Sequence, residues 1–237
     1  MALVALALLA RLAGAAEPVW VEDFSAPPAA SGLPEGWKPL TFRKVPRRTE
    51  YRVEREAGNA FLAARSSASA SGLHRPAPVE LARAPVLAWR WRVARVVAGA
   101  DARRRSGDDY AARLYVAFAY DPQRASLWQR ARYGTVKALY GEYPPHAAIN
   151  YVWDNRLASG TELDNAYTSR VKMVVLRSGN GEAGRWLSER RDVREDYRRL
   201  FGAEPPRVSF IAVMTDTDDT GESAEAAYDD LAFLPPL

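Results

Sequence analysis

Leu87-Ala88-Trp89-Arg90-Trp91-Arg92-Val93 alternates strictly, with Leu, Trp, Trp and Val on one side and Ala and Arg on the other. A side-chain period of two belongs to a half-buried antiparallel strand and excludes an amphipathic helix at the same place. Similar runs recur at Tyr51 to Glu54, Arg113 to Tyr120, Ala148 to Trp153, Arg170 to Leu176, Arg185 to Arg191 and Val208 to Met214, with shorter ones at Val19 to Phe24, Phe61 to Arg65 and Tyr228 to Leu234. About ten strands with turn-rich connections and no strand–helix alternation predict an all-β fold, an antiparallel β-sandwich of jelly-roll type.

Two stretches break the strand pattern. Val193 to Gly202 places Val193, Tyr197, Leu200 and Phe201 on one face behind Asp192 as cap, and predicts a short helix. Ala125 to Tyr140 mixes Trp128, Tyr133 and Tyr140 with Arg130, Arg132 and Lys137 and predicts a second helical insertion, read as a solvated flap, a lid or a membrane-surface contact. Ser66 to Gly72 is a small-residue loop too short to divide domains, so residues 17–237 form one domain.

Met1 to Ala16 is an apolar run closing on Ala13-Gly14-Ala15-Ala16, which reads as a secretory signal; no longer apolar run provides a transmembrane anchor. Export to the periplasm or beyond is the expectation. The chain has no cysteine, which removes disulfides, thiolate catalysis and thiolate zinc sites. Its 33 basic side chains become 32 without Arg11, against 29 acidic ones, and they are scattered rather than gathered into a stripe, so nucleic acid is not an expected partner. Two histidines, His74 and His146, argue against a histidine-based metal site.

The densest charge follows the last long apolar run. Val208 to Met214 leads into Asp216-Thr217-Asp218-Asp219-Thr220-Gly221, three carboxylates that repel unless a cation, arginines or protons offset them. The loop imitates the front half of an EF-hand, but position twelve is Ala227 instead of a bidentate Glu; calcium bound here would use a β-loop of another design. The alternative is that these acids cap turns or pair with arginine. The same segment mimics a phosphatase nucleophile motif without the later Lys that chemistry needs, and Gly179-Asn180-Gly181-Glu182-Ala183-Gly184 is a hairpin in place of a dinucleotide loop.

If consecutive strands run antiparallel, one rim gathers Asp108 and Asp109, then Trp153, Asp154 and Asn155, then Asp164, Asn165, Tyr167, Thr168 and Arg170; the candidate ligand-binding residues are Asp108, Asp109, Arg113, Tyr151, Trp153, Asp154, Asn165 and Arg170. Rings beside carboxylates, amides and arginine suit a sugar, whose C–H faces stack while its hydroxyls accept and donate. Two alternatives stay open: Arg113 or Arg170 neutralises Asp109 in a buried pair, and Trp153 belongs to the core. Glycan binding is therefore the leading functional reading. A glycoside hydrolase or lyase acting on envelope polysaccharide and an interaction protein without a small ligand are the alternatives.

Asp108-Asp109-Tyr110-Ala111-Ala112-Arg113-Leu114-Tyr115-Val116, then Asn150-Tyr151-Val152-Trp153, then Met214 to Gly221, with Ser71-Gly72-Leu73 ahead of the Trp89 strand, resembles a bacterial secreted family called domain of unknown function 3047. That resemblance implies export and no assigned activity. A looser likeness, through Glu22-Asp23-Phe24, Leu33 to Trp37 and Tyr228 to Phe233, is to galactose-binding-like, jelly-roll carbohydrate-binding modules. It implies a structural calcium held by acids of the first and last strands, here Asp23 and Asp229.

Overall fold

A computed structural model describes residues 18–120 and 145–236. The expected leader and the Ala125 to Tyr140 helix lie outside them. The described chain forms two packed sheets. One joins β3 (Glu50–Glu56), β4 (Asn59–Ser67), β13 (Ser223–Leu234), β6 (Val86–Val93) and β11 (Leu187–Asp192), with β1 (Trp20–Glu22) pairing β13. The other runs in the order β2 (Lys38–Leu40), β5 (Ala70–Pro76), β12 (Val208–Asp216), β7 (Ala112–Phe118), β8 (Ala147–Asp154), β10 (Thr168–Ser178) and β9 (Glu162–Asn165). This is the expected β-sandwich.

The alternation in β6 sets the core. Leu87, Trp89, Trp91 and Val93 are buried while Val86, Ala88, Arg90 and Arg92 are only partly covered. Trp89 packs on Tyr151 with ring centroids 5.4 Å apart, and Trp91 on Trp153 at 6.0 Å, so β6 of one sheet is sealed against β8 of the other. Edge and tilted ring contacts of this kind add to the burial of apolar area that drives the sheets together.

Helix α1 (Val193–Phe201) forms where its cap predicts it: the Asp192 side chain accepts from the Glu195 N–H at 2.9 Å, and Gly202 closes the helix at φ 67°. Tyr197 then meets Phe118 at 4.5 Å over the sandwich. Ser66 to Gly72 is not a loop throughout, because β4 ends at Ser67 and β5 begins at Ala70. The small residues there serve close packing, since a Cβ on Gly72 would stand 2.7 Å from the Val213 carbonyl oxygen.

One topological expectation fails. β10 runs parallel to β8, with Val171 beside Ala148 and Ser178 beside Asp154, because short β9 intervenes and pairs antiparallel with the far side of β10. Arg170 is therefore at the opposite end of the strand pair from Trp153 and Asp154.

Candidate functional site

Because β7 sends Ala112, Leu114 and Val116 inward, Arg113 and Tyr115 stand on the outer face of the seven-stranded sheet. In β12, Ile211 and Val213 point into the core, and Met214, register partner of Arg113, shares that outer face with Asp216. Arg113 is 2% exposed. Its Nε donates to Asp216 Oδ1 at 2.9 Å, an Nη donates to the Asp108 carbonyl at 2.5 Å, and the other lies 3.3 Å from the Asp108 carboxylate. Its guanidinium also stacks over the Tyr110 ring at 4.6 Å. A buried charge needs this degree of pairing.

Asp109 is fully buried and does not pair with Arg113. It accepts from the backbone N–H of Thr220 at 2.7 Å and of Asp219 at 3.3 Å, tying the start of β7 to the acidic loop. That draws Asp109, Asp218 and Asp219 into one cluster, with a carboxylate oxygen of each within 4.8 Å of the others. Partial burial and the charges of Asp218 and Asp109 push the Asp219 carboxyl up to about 6. Burial and Asp109 raise Asp218 in the same direction. Such a group of oxygens could hold a metal ion, and hard oxygen donors suit calcium.

Beside the cluster opens a cavity of about 390 Å³. Its polar lining includes Asp108, Asn165, Asp216, Asp218 and Asp219, and its flanks carry Phe42 and Tyr167. Asn165 Nδ2 donates to the Asp108 carboxylate at 3.2 Å, and the Tyr167 hydroxyl donates to the Arg105 carbonyl at 3.1 Å, which holds that ring at the mouth.

The rim expected from the sequence is thus split. Asp108, Arg113 and Asn165 do come together in the cavity lining with Asp218 and Asp219 of the acidic loop, and Asp109 is buried behind that loop. Tyr151 and Trp153 face the core: the Tyr151 hydroxyl donates to Asp196 at 2.7 Å, and Trp153 Nε1 to the Gly179 carbonyl at 3.0 Å. Their positions alternate with Asn150 and Val152, and the pleat puts them under β6. Asp154 caps a turn, accepting from Arg156 and Leu157 N–H. Arg170 lies at the other end of the β8–β10 pair from Trp153 and Asp154 and is not in the cavity lining, although Tyr167 and Val171 on either side of it are. Asp216 is bound to Arg113 and lies outside the carboxylate cluster. Asp229 sits on the six-stranded sheet, paired with Arg90 at 2.5 Å and accepting from Asn59 Nδ2 at 2.7 Å, while Asp23 closes a turn with Ser25. Neither of the last two joins a cluster of three metal-ligating groups among the described residues, because each is already satisfied locally. Phe42, Lys44 and Tyr115 line the cavity without having been marked by the sequence; Phe42 and Lys44 lie in an irregular stretch with no periodicity to read.

The family model of a protein of unknown function, DUF3047, matches residues 35–232. The chain belongs to that family. No curated protein sequence matches this DUF3047 protein significantly. Among solved structures it is similar to a carbohydrate-binding module, CBM28, specific for non-crystalline cellulose, at 12% identity and TM-score 0.40 over 86% of this chain and 90% of the other. It is also similar to a cleaved adhesin domain of Lys-gingipain from Porphyromonas gingivalis (10%, TM-score 0.37, 92% and 99% covered). A third likeness is to the xyloglucanase domain of a type three effector from Sinorhizobium fredii, solved with cellobiose (8%, TM-score 0.38, 93% and 100% covered). At these values the likeness concerns the sandwich alone.

Proposed function

We propose that this DUF3047 protein is an exported glycan-binding β-sandwich whose ligand lies in the cavity between Phe42 and Tyr167. One observation carries the reading. Among the described residues the large apolar side chains left exposed are Val19, Val21, Phe42 and Tyr167, and both aromatic ones border the same carboxylate-lined cavity. Exposed rings flanking convergent polar groups suit a polyhydroxylated ligand, with C–H faces on the rings and hydroxyls on Asp108, Asn165, Asp218 and Asp219. Arg113 belongs to the lining, and Asp109 is buried behind it, holding the acidic loop through the N–H groups of Asp219 and Thr220. The cluster of Asp109, Asp218 and Asp219 is where positive charge enters the complex, as calcium or as part of the ligand. A glycan array probed with wild type, Phe42→Ala and Tyr167→Ala tests this; binding retained by both variants rejects it.

A second reading is favoured by Asp219. A carboxyl held up to about 6 beside other carboxylates is the arrangement of a general acid, so a glycoside hydrolase or lyase is the alternative. Release of reducing ends from a bound oligosaccharide, lost in Asp219→Asn, would favour it over binding alone.

A further inference from the structure

The basic side chains are scattered along most of the chain, with one local exception. From Gly36 to Thr49 there are five, Lys38, Arg43, Lys44, Arg47 and Arg48, and no acidic residue. All five are exposed, and among the described residues none of them forms an ion pair. The backbone that carries them is fastened to the sandwich. The Ala70 N–H donates to the Arg47 carbonyl at 3.2 Å, the Thr49 hydroxyl to the Thr215 carbonyl at 2.7 Å, and the Val45 N–H closes a turn on the Phe42 carbonyl at 3.1 Å. Arg43, Lys44, Arg47 and Arg48 are thereby held close together, and an anionic partner offsets their mutual repulsion.

This segment runs between two cavities. Phe42, Lys44 and Val45 border the carboxylate-lined one, while Arg47 and Arg48 border another of about 460 Å³ at the turn between β4 and β5. Ala70 lines the first and Ser69 the second, so the two adjoin. The Cα atoms of Lys44 and Arg47 are separated by no more than about 11 Å, the reach of three extended residues. The second cavity has the opposite character. Arg65, Ser67 and Ser223 join Arg47 and Arg48 in its lining, and its acids are Glu50 and Glu225. Glu50 pairs with Arg52 at 3.4 Å and Arg65 with Glu54 at 2.7 Å, which leaves Arg47 and Arg48 facing Glu225 alone. Guanidinium groups only donate, and their fork matches two oxygens of a carboxylate or sulfate.

Resting on the glycan-binding reading, we propose that the ligand is an acidic polysaccharide of mixed units: a unit without an anionic group sits between Phe42 and Tyr167, and a carboxylate or sulfate on a neighbouring unit is held by Arg47 and Arg48. The two adjoining cavities of opposite charge disfavour simpler ligands. A polymer charged on every unit, nucleic acid included, brings an anion against Asp218 and Asp219. A neutral polymer leaves the arginines facing water. An anionic bilayer fits less well, because Phe42 and Val45, the apolar side chains beside the cations, line the cavity instead of forming an apolar face of their own.

A glycan array carrying neutral oligosaccharides, uniformly acidic ones, and ones that alternate neutral with uronic or sulfated units is read with the full chain. The tightest alternating ligand is then titrated beside its carboxyl-reduced or desulfated form. The acidic form is expected to bind at least about tenfold tighter in dilute buffer, the size of one charge-assisted hydrogen bond, with a smaller margin at high salt. Arg47→Gln with Arg48→Gln removes the margin and leaves both the melting midpoint and the affinity for the neutralised form unchanged. Equal affinity for the acidic and neutralised forms, or a margin that survives the double substitution, overturns the inference and leaves the glycan reading standing. Binding to phosphatidylglycerol vesicles or single-stranded DNA that is tighter than to any oligosaccharide and depends on Arg47 and Arg48 also overturns it. Absence of binding to every oligosaccharide overturns both.

Discussion

Arg113 and Asp216, each 2% exposed, are joined at 2.9 Å across neighbouring strands β7 and β12, beneath the wall of the candidate site. The pair turns a loop of like charges into a built surface: Asp216 is neutralised, and the guanidinium also fixes Asp108, leaving Asp218 and Asp219 to face outward.

Removing one partner of this pair strands the other. Arg113→Leu is expected to cost about 3–5 kcal/mol in urea unfolding, the range for breaking a buried ion pair. Adding Asp216→Leu should recover part of the loss, because the second charge is then no longer buried alone.

The rings at the cavity mouth carry little of the fold. Tyr167→Ala and Phe42→Ala are each expected to change stability by no more than about 0.5 kcal/mol, as surface substitutions do. Each should weaken glycan binding about tenfold, the loss of one aromatic contact. A large drop in melting midpoint with either variant would mean the rings are structural.

Asp219 makes stability depend on pH in a defined direction. Its carboxyl is raised from 3.8 to about 6 by burial and by Asp218 and Asp109, so between those values the folded chain holds a proton that the unfolded chain has released. Stability from this residue therefore falls as pH rises from about 4 to about 6 and is level above. Asp219→Asn should flatten that part of the profile and raise stability at neutral pH. Chemical-shift titration of the carboxyl carbon checks the pKa directly.

Trp153 acts through the core. Packed on Trp91 and 1% exposed, it should lose about 3–5 kcal/mol on Trp153→Ala, measured by denaturant unfolding. Any effect on glycan binding should disappear under conditions where the variant is fully folded.

Much of the architecture was legible because strands announce themselves locally. The alternation at Leu87 to Val93 became β6 with each large residue buried, and Asp192 with Gly202 bounded α1 where expected. Strands β2, β5 and β9 were missed: β2 and β9 hold only three or four residues, and β5 opens in the small-residue run Ser66 to Gly72 that reads as a loop. In the site, the acidic loop and Asp108, Asp109, Arg113 and Asn165 stood out by charge and amide content. Phe42 and Tyr115 did not, because an aromatic residue looks the same in sequence whether it meets solvent or core.

The sequence by itself determined the sandwich, through side-chain period, and marked the dense carboxylates, through composition; both are properties of neighbours along the chain. Only the tertiary structure decided which acids meet. The parallel β8–β10 pairing carried Arg170 away from Trp153 and Asp154, the pleat turned Tyr151 and Trp153 inward, and strand register set Arg113 opposite Met214 within reach of Asp216. Those outcomes depend on hydrogen-bond register between distant segments, where a one-residue shift exchanges the buried and exposed faces.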